Sequence, residues 1–477
     1  MRHAKIVCTL GPATFSPKMI EALILSGMDV VRLNFSHGEY KTYERVIKIV
    51  REKSKKLNRS ITIIQDLQGP KIRVGKLIDE KISLRRGQRL SITTKDIKGN
   101  SKIISVPYRP LPRLLKKGNL ILIDDGLIEL KVLGTKRGLV DCVVVNGGNL
   151  RPNKGVNLPY LKTRGDSLTL KDKKDLAFGI RHGVDFVAMS FICQAADVLE
   201  LRRRIPKSKQ IGIIAKIEKR EAIDHFDEIL AVSDAVMVAR GDLAVESSSE
   251  VVPCLQKEII QKCNQALKPV ITATQMLESM VKNPRPTRAE ASDVANAVLD
   301  GTDALMLSSE TAFGSHPIES VKMMDKIIRE VEHHYHHPEK KHFLLPHLHQ
   351  NKIRFSLEHE VGEIEKAACH IAEGTGAKLL CCLTERGRSA TELSNQRPRQ
   401  PIIALTNQSV TVRKLSLVWG VQSYFLKDLL HSFKIFNTIR KRLLQLKMVK
   451  RGDQIVVTTG VFTHSPDTAR IVKVHQI

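Results

Sequence analysis

The chain has 477 residues and a formal net charge of +27, from 77 Lys and Arg against 50 Asp and Glu. Its hydrophobic fraction of 42% is that of a globular protein and excludes global disorder. At ~150 residues per domain the length suggests about three domains, and no apolar run approaches the ~18 residues of a membrane-spanning helix.

The first strand-like run, Lys5–Leu10, begins so early that no signal peptide is expected ahead of it, and the sequence reads as cytoplasmic. Seven further short apolar runs follow: Val30–Leu33, Ile61–Leu67, Asp185–Phe191, Ile211–Ile217, Ala235–Ala239, Pro269–Thr274 and Ala304–Leu307. They are rich in Val, Ile and Ala, mostly lack alternation, and have helical patterns between them. That suits parallel strands buried on both faces. Eight strands alternating with helices is the count of a TIM barrel.

The span from Leu67 to Asp185 reads differently, with alternating stretches such as KISLRRGQRLSITT and LVDCVVV and turns such as DDG and NGG. It predicts an all-β insertion after the third strand, over the mouth of the barrel where active sites lie. A polar stretch near 332–358 holds His333, His334, His336, His337, His342, His347 and His349 without a clean metal-ligand spacing, and reads as a solvated linker. From about 359 the runs AKLLCCLT, PIIALT, VQSYFL and QIVVTT predict a third, α/β domain.

The eight cysteines, Cys8, Cys142, Cys193, Cys254, Cys263, Cys369, Cys381 and Cys382, form no CxxC pair and read as buried free thiols. A pI near 9.8 fits nucleic acid or anionic ligands. Aromatic residues are only 4%, and the basic residues are spread along the chain. Both features favour a basic surface that steers anionic substrates over a nucleic-acid function.

Polar residues stand at the C-terminal ends of nearly all the expected barrel strands, where catalytic groups collect. The second strand ends in Arg32, Asn34, Ser36 and His37, and the third in Asp66, running on to Lys71 and Arg73. The fifth ends in Lys216 and Glu218, the sixth in Arg240, Gly241 and Asp242, the seventh in Thr274 and Gln275, and the eighth in Ser308 and Glu310. Alternation puts Lys216 and Glu218 on one face of their strand. Asp242 follows the next strand, and two carboxylates with room for water and phosphate oxygens describe a Mg²⁺ or Mn²⁺ site. Lys216 could stabilise charge on a transferring group. The amides at Gly241 could hold a carboxylate, and Arg32 and Arg73 are natural phosphate ligands. The chain has no GxxxxGK[ST] loop and no protein-kinase signature set.

Taken together, CTLGP (8–12), VRLNFSHG (31–38), QDLQGPKIR (65–73), NKGVNLP (153–159), IIAKIE (213–218), MVARGDLAVE (237–246), ITATQMLESM (271–280), NPRPTRAE (283–290) and LDGTDALMLSSET (299–311) resemble pyruvate kinase. The resemblance runs from about residue 3 to 330 and continues more weakly to the end. It implies an α/β fold: a TIM (β/α)8 barrel, a small β-barrel lid inserted after strand 3, and a C-terminal α/β regulatory domain. The implied division is 1–69 with 168–335 for the barrel, 70–167 for the lid, 336–358 for a linker and 359–477 for the regulatory domain.

The implied reaction takes phosphoenolpyruvate and ADP to pyruvate and ATP. By resemblance, Glu218 and Asp242 bind the divalent metal, Lys216 and Arg32 meet the transferring phosphoryl group, and Thr274 with the Gly241 and Asp242 backbone meets the substrate carboxylate. Ser308 matches a serine on the proton path to the enolate. Asn34, Ser36 and Asp66 match ligands of a monovalent cation, with Asn34, His37 and Arg73 near the ADP phosphates. A homotetramer is also implied.

Several positions depart from the family pattern. Lys71 stands where many members carry Glu and need K⁺, and its tethered ammonium is expected to make K⁺ dispensable. Gln194 replaces a lysine near ADP, Ala244 a glycine, Ser309 a Gly or Ala, and Leu170 a glutamate near the lid hinge. TERGRSA (384–390) resembles the family's effector-phosphate loop, with Thr384, Arg386, Arg388 and Ser389 as candidate donors. GVFTHSPDTA (460–469) lacks the glycine-rich pattern of members that bind fructose 1,6-bisphosphate, which leaves a sugar monophosphate, AMP or no effector. The rival readings are another phosphoenolpyruvate-using barrel enzyme, which would lack the lid, and a catalytically silent binding protein.

Overall fold

The computed structural model describes residues 2–136, 138–159, 161, 167–335, 360–427, 435–460 and 470–477. Eight parallel strands close into a barrel: β1 (Lys5–Leu10), β2 (Val30–Asn34), β3 (Thr62–Asp66), β4 (Phe186–Met189), β5 (Gly212–Ile217), β6 (Ala235–Ala239), β7 (Val270–Ala273) and β8 (Ala304–Leu307). Neighbours in sequence are neighbours in the ring, and β1 closes on β8 with Lys5 opposite Ala304. The apolar runs appear as strands because both faces are covered: one lines the barrel interior and the other meets the surrounding helices.

Local signals set the helix ends. Ser16 caps the helix Pro17–Ser26, which stops at Gly27 with φ 124°, a backbone geometry suited to glycine. Thr169 and Asp172 form a capping box for the helix Leu170–His182, and Thr287 and Glu290 form another for Arg288–Leu299. Asp172 also accepts from the Gly69 amide at 3.1 Å, which fixes the chain as it leaves β3.

Between β3 and β4 the chain builds a six-stranded sheet in the order 156–157, 120–123, 128–136, 139–146, 89–93, 103–105. A two-stranded ribbon of Ile82–Leu84 and Gly148–Leu150 packs beside it on one shared apolar core. The expected closed β lid is, among the described residues, an open ladder bent by irregularities at Glu129/Leu130 and Val132/Gly134.

The C-terminal sheet has the order 421–425, 402–406, 380–383, 454–460, 470–476. The first four strands are parallel. The last, Arg470–Gln476, is antiparallel and lies outside the four strands read from the sequence. This domain seals the base of the barrel, since Leu417 is fully buried among Val7, Ile64, Phe186 and Met237 of the barrel interior. Arg413 pairs with Asp185 at 2.6 Å, and Arg397 reaches Gly301 O at 2.6 Å.

All eight cysteines are free. Five are buried, Cys193 and Cys369 are half-buried, and Cys254 is exposed, which corrects the reading of uniformly buried thiols. Cys254 sits on the water-facing side of the amphipathic helix Val252–Gln265, where burial was not available to it. His333 and His334 end the helix Pro317–Tyr335, while the other linker histidines and the loop at 461–469 lie outside the described residues.

Candidate active site

The C-terminal ends of the barrel strands bring the charged residues together. Lys216 is the penultimate residue of its strand, with only 10% of its side chain exposed. Its ammonium meets three acceptors: Glu218 Oε1 at 2.7 Å, Ser190 Oγ at 2.7 Å and Asp66 Oδ1 at 3.3 Å. Burial alone would push its proton off, but the Asp66 and Glu218 carboxylates outweigh burial and hold it charged, well above the ordinary lysine range. Asp66 is buried too, which opposes its ionisation, but Lys216 and Arg32 prevail and hold its carboxyl below the usual range. Arg32 grips Asp66 Oδ2 with Nε and Nη2, both at 2.7 Å, and donates to Thr9 Oγ1 at 2.9 Å.

Glu218 is 1% exposed and accepts from the Phe191 amide at 2.8 Å. Burial raises its pKa, the Lys216 ammonium lowers it, and the neighbouring Asp242 carboxylate raises it again. Two neighbouring carboxylates are a fit for a hard divalent cation. Among the described residues no cluster of three or more His, Cys, Asp or Glu is placed to hold a metal. Water and substrate oxygens would therefore complete the sphere, as Mg²⁺ prefers.

Lys71 sits 3.5 Å from Asp242 Oδ1, and its stem runs where a side chain at Gly155 would be: a Cβ there would lie 2.9 Å from Lys71 Cε. Among the described residues no hydrogen bond or ion pair joins Lys71 to Asn34, Ser36 or Asp66. The Lys71 ammonium thus lies beside the Asp242 carboxylate. Asn34 and Ser36 are joined locally, Asn34 Oδ1 accepting from the Ser36 amide at 3.1 Å.

His37 is exposed beside the same mouth. Partial burial, then Arg73, Lys171 and Lys71, hold its imidazole below the usual range, which marks a positive field there. Arg73 donates to Asn153 O at 2.9 Å, within the insertion. The insertion touches the barrel directly: buried Asn157 donates to Glu246 Oε1 at 2.8 Å. A cavity of about 390 Å³ between the two is bounded by Lys71, Asn157, Phe191, Gln194, Lys219 and Glu246.

On the opposite side of the mouth, Thr274 has φ 72° and Gln275 φ 55°. A β-branched residue at positive φ is strained, and such strain collects at functional sites. Thr274 Oγ1 accepts from the Gly241 amide at 2.8 Å and donates to Ala273 O at 2.6 Å. Ser308 leads into the short helix Ser309–Ala312, its amide donating to Glu310 Oε2 at 2.7 Å. Glu310 also accepts from the Leu277 amide at 3.0 Å, tying the ends of β7 and β8 together. The Thr384–Ser389 turn lies in the C-terminal domain, away from this mouth. Thr384 Oγ1 accepts there from the Gly387 amide at 2.9 Å, and Arg388 pairs with Glu392 at 2.9 Å.

The sequence reading missed Ser190 and Thr9, which hold Lys216 and Arg32. Both occupy strand or strand-end positions beside residues that were singled out, yet a serine and a threonine there carry no charge signal. Arg240 and Glu310 were noted but given no role.

Residues 1–321 match the family described as pyruvate kinase, barrel domain, and 363–475 that described as pyruvate kinase, alpha/beta domain. A pyruvate kinase of Sporosarcina psychrophila is 43% identical over 481 residues, spanning 100% of this chain and 81% of that protein. One of Staphylococcus aureus (strain MRSA252) is 42% identical over 480 residues, with the same coverage. The crystal structure of a pyruvate kinase from Cryptosporidium parvum superposes with a TM-score of 0.90 at 36% identity, covering 100% of this chain and 96% of that one.

Proposed function

The chain belongs to the pyruvate kinase family and transfers the phosphoryl group of phosphoenolpyruvate to ADP, giving pyruvate and ATP as in glycolysis; from that premise we propose which of its residues do the work. The observation that carries the assignment is the buried Lys216 ammonium held between Glu218 and Asp66, with Arg32 on the far side of Asp66.

Glu218 and Asp242 hold Mg²⁺ or Mn²⁺. When bound, that cation neutralises charge on the phosphoryl and substrate oxygens. Lys216 and Arg32 bind the phosphoryl group being transferred. Phosphoryl transfer needs positioning and charge neutralisation more than covalent help. Both cations are fixed by carboxylates before substrate arrives, so little reorganisation remains during the reaction. Thr274 and the amides of Gly241 and Asp242 orient the substrate carboxylate. The Gly241 amide already engages Thr274 Oγ1, so the hydroxyl is fixed at the edge of that subsite. Ser308 lies on the path by which a proton reaches the enolate carbon. His37, Asn34 and Arg73 receive the ADP phosphates, and the lowered imidazole pKa of His37 supports a field suited to anions.

K⁺ is dispensable in this reading. Lys71 carries a positive charge into the mouth and lies 3.5 Å from Asp242. The residues matched to the monovalent-cation site are Asn34, Ser36 and Asp66, and Asp66 is already neutralised by two cations. The division into 1–69 with 168–335, 70–167, 336–358 and 359–477, a homotetramer and a cytoplasmic setting belong to the same proposal. Among the described residues no helix is long and apolar enough to cross a membrane. Thr384, Arg386, Arg388 and Ser389 are the proposed contacts for a phosphorylated effector, a sugar monophosphate or AMP.

The test is pyruvate formation from phosphoenolpyruvate and ADP with Mg²⁺ in K⁺-free buffer, then with K⁺ added. Full rate without K⁺ supports the activity and the role given to Lys71. A rate that appears only with K⁺ removes the role given to Lys71. No turnover in either buffer, with or without AMP or sugar phosphates, defeats the site assignment.

A further inference from the structure

Arg240 is the first residue of the helix that follows β6, and its guanidinium turns sideways onto the end of β7. Nη2 donates to Thr274 O at 2.7 Å and lies 2.8 Å from Met276 Sδ, while Nε points to Ala273 O at 3.4 Å. On its other edge, Nη1 pairs with Asp293 Oδ1 at 2.7 Å and lies 3.4 Å from Gln256 Oε1. The planar fork thus spans two successive carbonyls on one side and a carboxylate anchored on the helix Arg288–Leu299 on the other. Only 11% of the Arg240 side chain is exposed.

The carbonyls it grips belong to the strained turn. Thr274 and Gln275 are consecutive non-glycine residues at φ 72° and 55°. A β-branched residue left to itself would return to negative φ, and the Thr274 side chain would swing with it. The next residue after Arg240 supplies the second restraint, since the Gly241 amide donates to Thr274 Oγ1 at 2.8 Å. Two adjacent residues therefore hold Thr274 by its carbonyl and by its hydroxyl at once.

We propose that Arg240 is a positioning residue for the reaction: its guanidinium locks Thr274 in the left-handed conformation that sets its hydroxyl at the carboxylate subsite of phosphoenolpyruvate. The proposal rests on the assignment of Thr274 to that subsite. A lysine at 240 keeps the charge but cannot span both carbonyls and Asp293, so charge and clamp are separable.

The experiment is a double-mutant cycle on the full-length enzyme with Arg240→Lys, Thr274→Ala and the double variant, measuring kcat and KM for phosphoenolpyruvate and for ADP, with thermal midpoints alongside. The expected result is a loss of about tenfold or more in kcat/KM for phosphoenolpyruvate in R240K. KM for ADP stays within about twofold, and less than about twofold further loss appears when R240K is added to T274A. Asp293→Asn removes the outer anchor while leaving the carbonyl contacts, and gives a smaller loss with the same substrate selectivity. If R240K and T274A multiply independently, or if both substrates and the thermal midpoint fall together in R240K and D293N, Arg240 is structural and the proposal fails. If T274A itself keeps the wild-type kcat/KM for phosphoenolpyruvate, the subsite assignment fails first, a result distinct from failure of the clamp.

Discussion

Replacing Lys71 by Glu reverses a charge 3.5 Å from Asp242 Oδ1. At an effective dielectric of ~20, a unit pair at that distance interacts by about 5 kcal/mol before screening. The two side chains are 24% and 28% exposed, so water and salt weaken that attraction considerably. We take a net contribution of about 1–2 kcal/mol, above the range of fully exposed pairs. Loss of that contribution in the transition state slows turnover roughly five- to thirtyfold. Lys71→Met should show this loss in buffer with tetramethylammonium as the only monovalent cation, and K⁺ should restore little. Lys71→Glu should be slower still without K⁺, because a third carboxylate joins Glu218 and Asp242, and K⁺ should restore much of its rate. The assay is coupled pyruvate formation at saturating phosphoenolpyruvate, ADP and Mg²⁺ across a KCl titration at constant ionic strength. A Lys71→Glu enzyme that keeps wild-type turnover without K⁺ would refute the tethered-cation argument.

Lys216→Met leaves Glu218 and Asp66 buried without their shared cation. Turnover should fall by about a thousandfold or more, and stability by about 3–5 kcal/mol, read from urea midpoints. Leu417→Ala opens a void at the base of the barrel and should cost about 2–5 kcal/mol, with kcat in native conditions changed far less than the urea midpoint. Glu246 is 8% exposed, and burial raises its pKa, against the hydrogen bond from Asn157, which lowers it. The folded protein therefore favours its protonated form. The resulting stabilisation is full below the unfolded value near 4.5 and is lost as pH rises through the folded value. Glu246→Gln keeps an acceptor for Asn157 and removes that loss, so its stability relative to wild type should rise from pH 5 to pH 8. A flat difference between the two proteins over that window would show that Glu246 titrates normally.

Much of the barrel was legible because its strands are buried on both faces. Val, Ile and Ala then occupy consecutive positions, as in Ile213, Ile214 and Ala215 of β5, all fully buried. The polar residues that end these runs, Lys216, Glu218, Asp242 and Thr274, stood out against that background. The C-terminal strand Arg470–Gln476 was missed for the opposite reason. Among the described residues it pairs on one side only, its Ile471 and Val474 are exposed, and Lys473 and His475 interrupt its apolar residues.

The sequence by itself determined the strand order, the insertion after the third strand and the charged residues gathered at one end of the barrel, because these follow from local hydrophobicity and from the rule that barrel sites form at strand C-termini. Only the tertiary structure decided which of those residues touch. Lys71 meets Asp242 across 171 positions of sequence, Ser190 meets Lys216 from the end of the neighbouring strand, Arg240 reaches across to Thr274 at the end of the next strand, and Leu417 comes from another domain to close the barrel base. The reason is physical: hydropathy reports whether a side chain leaves water, but the partner of a buried charge is set by strand register and by the folding back of distant segments, which composition and spacing do not record.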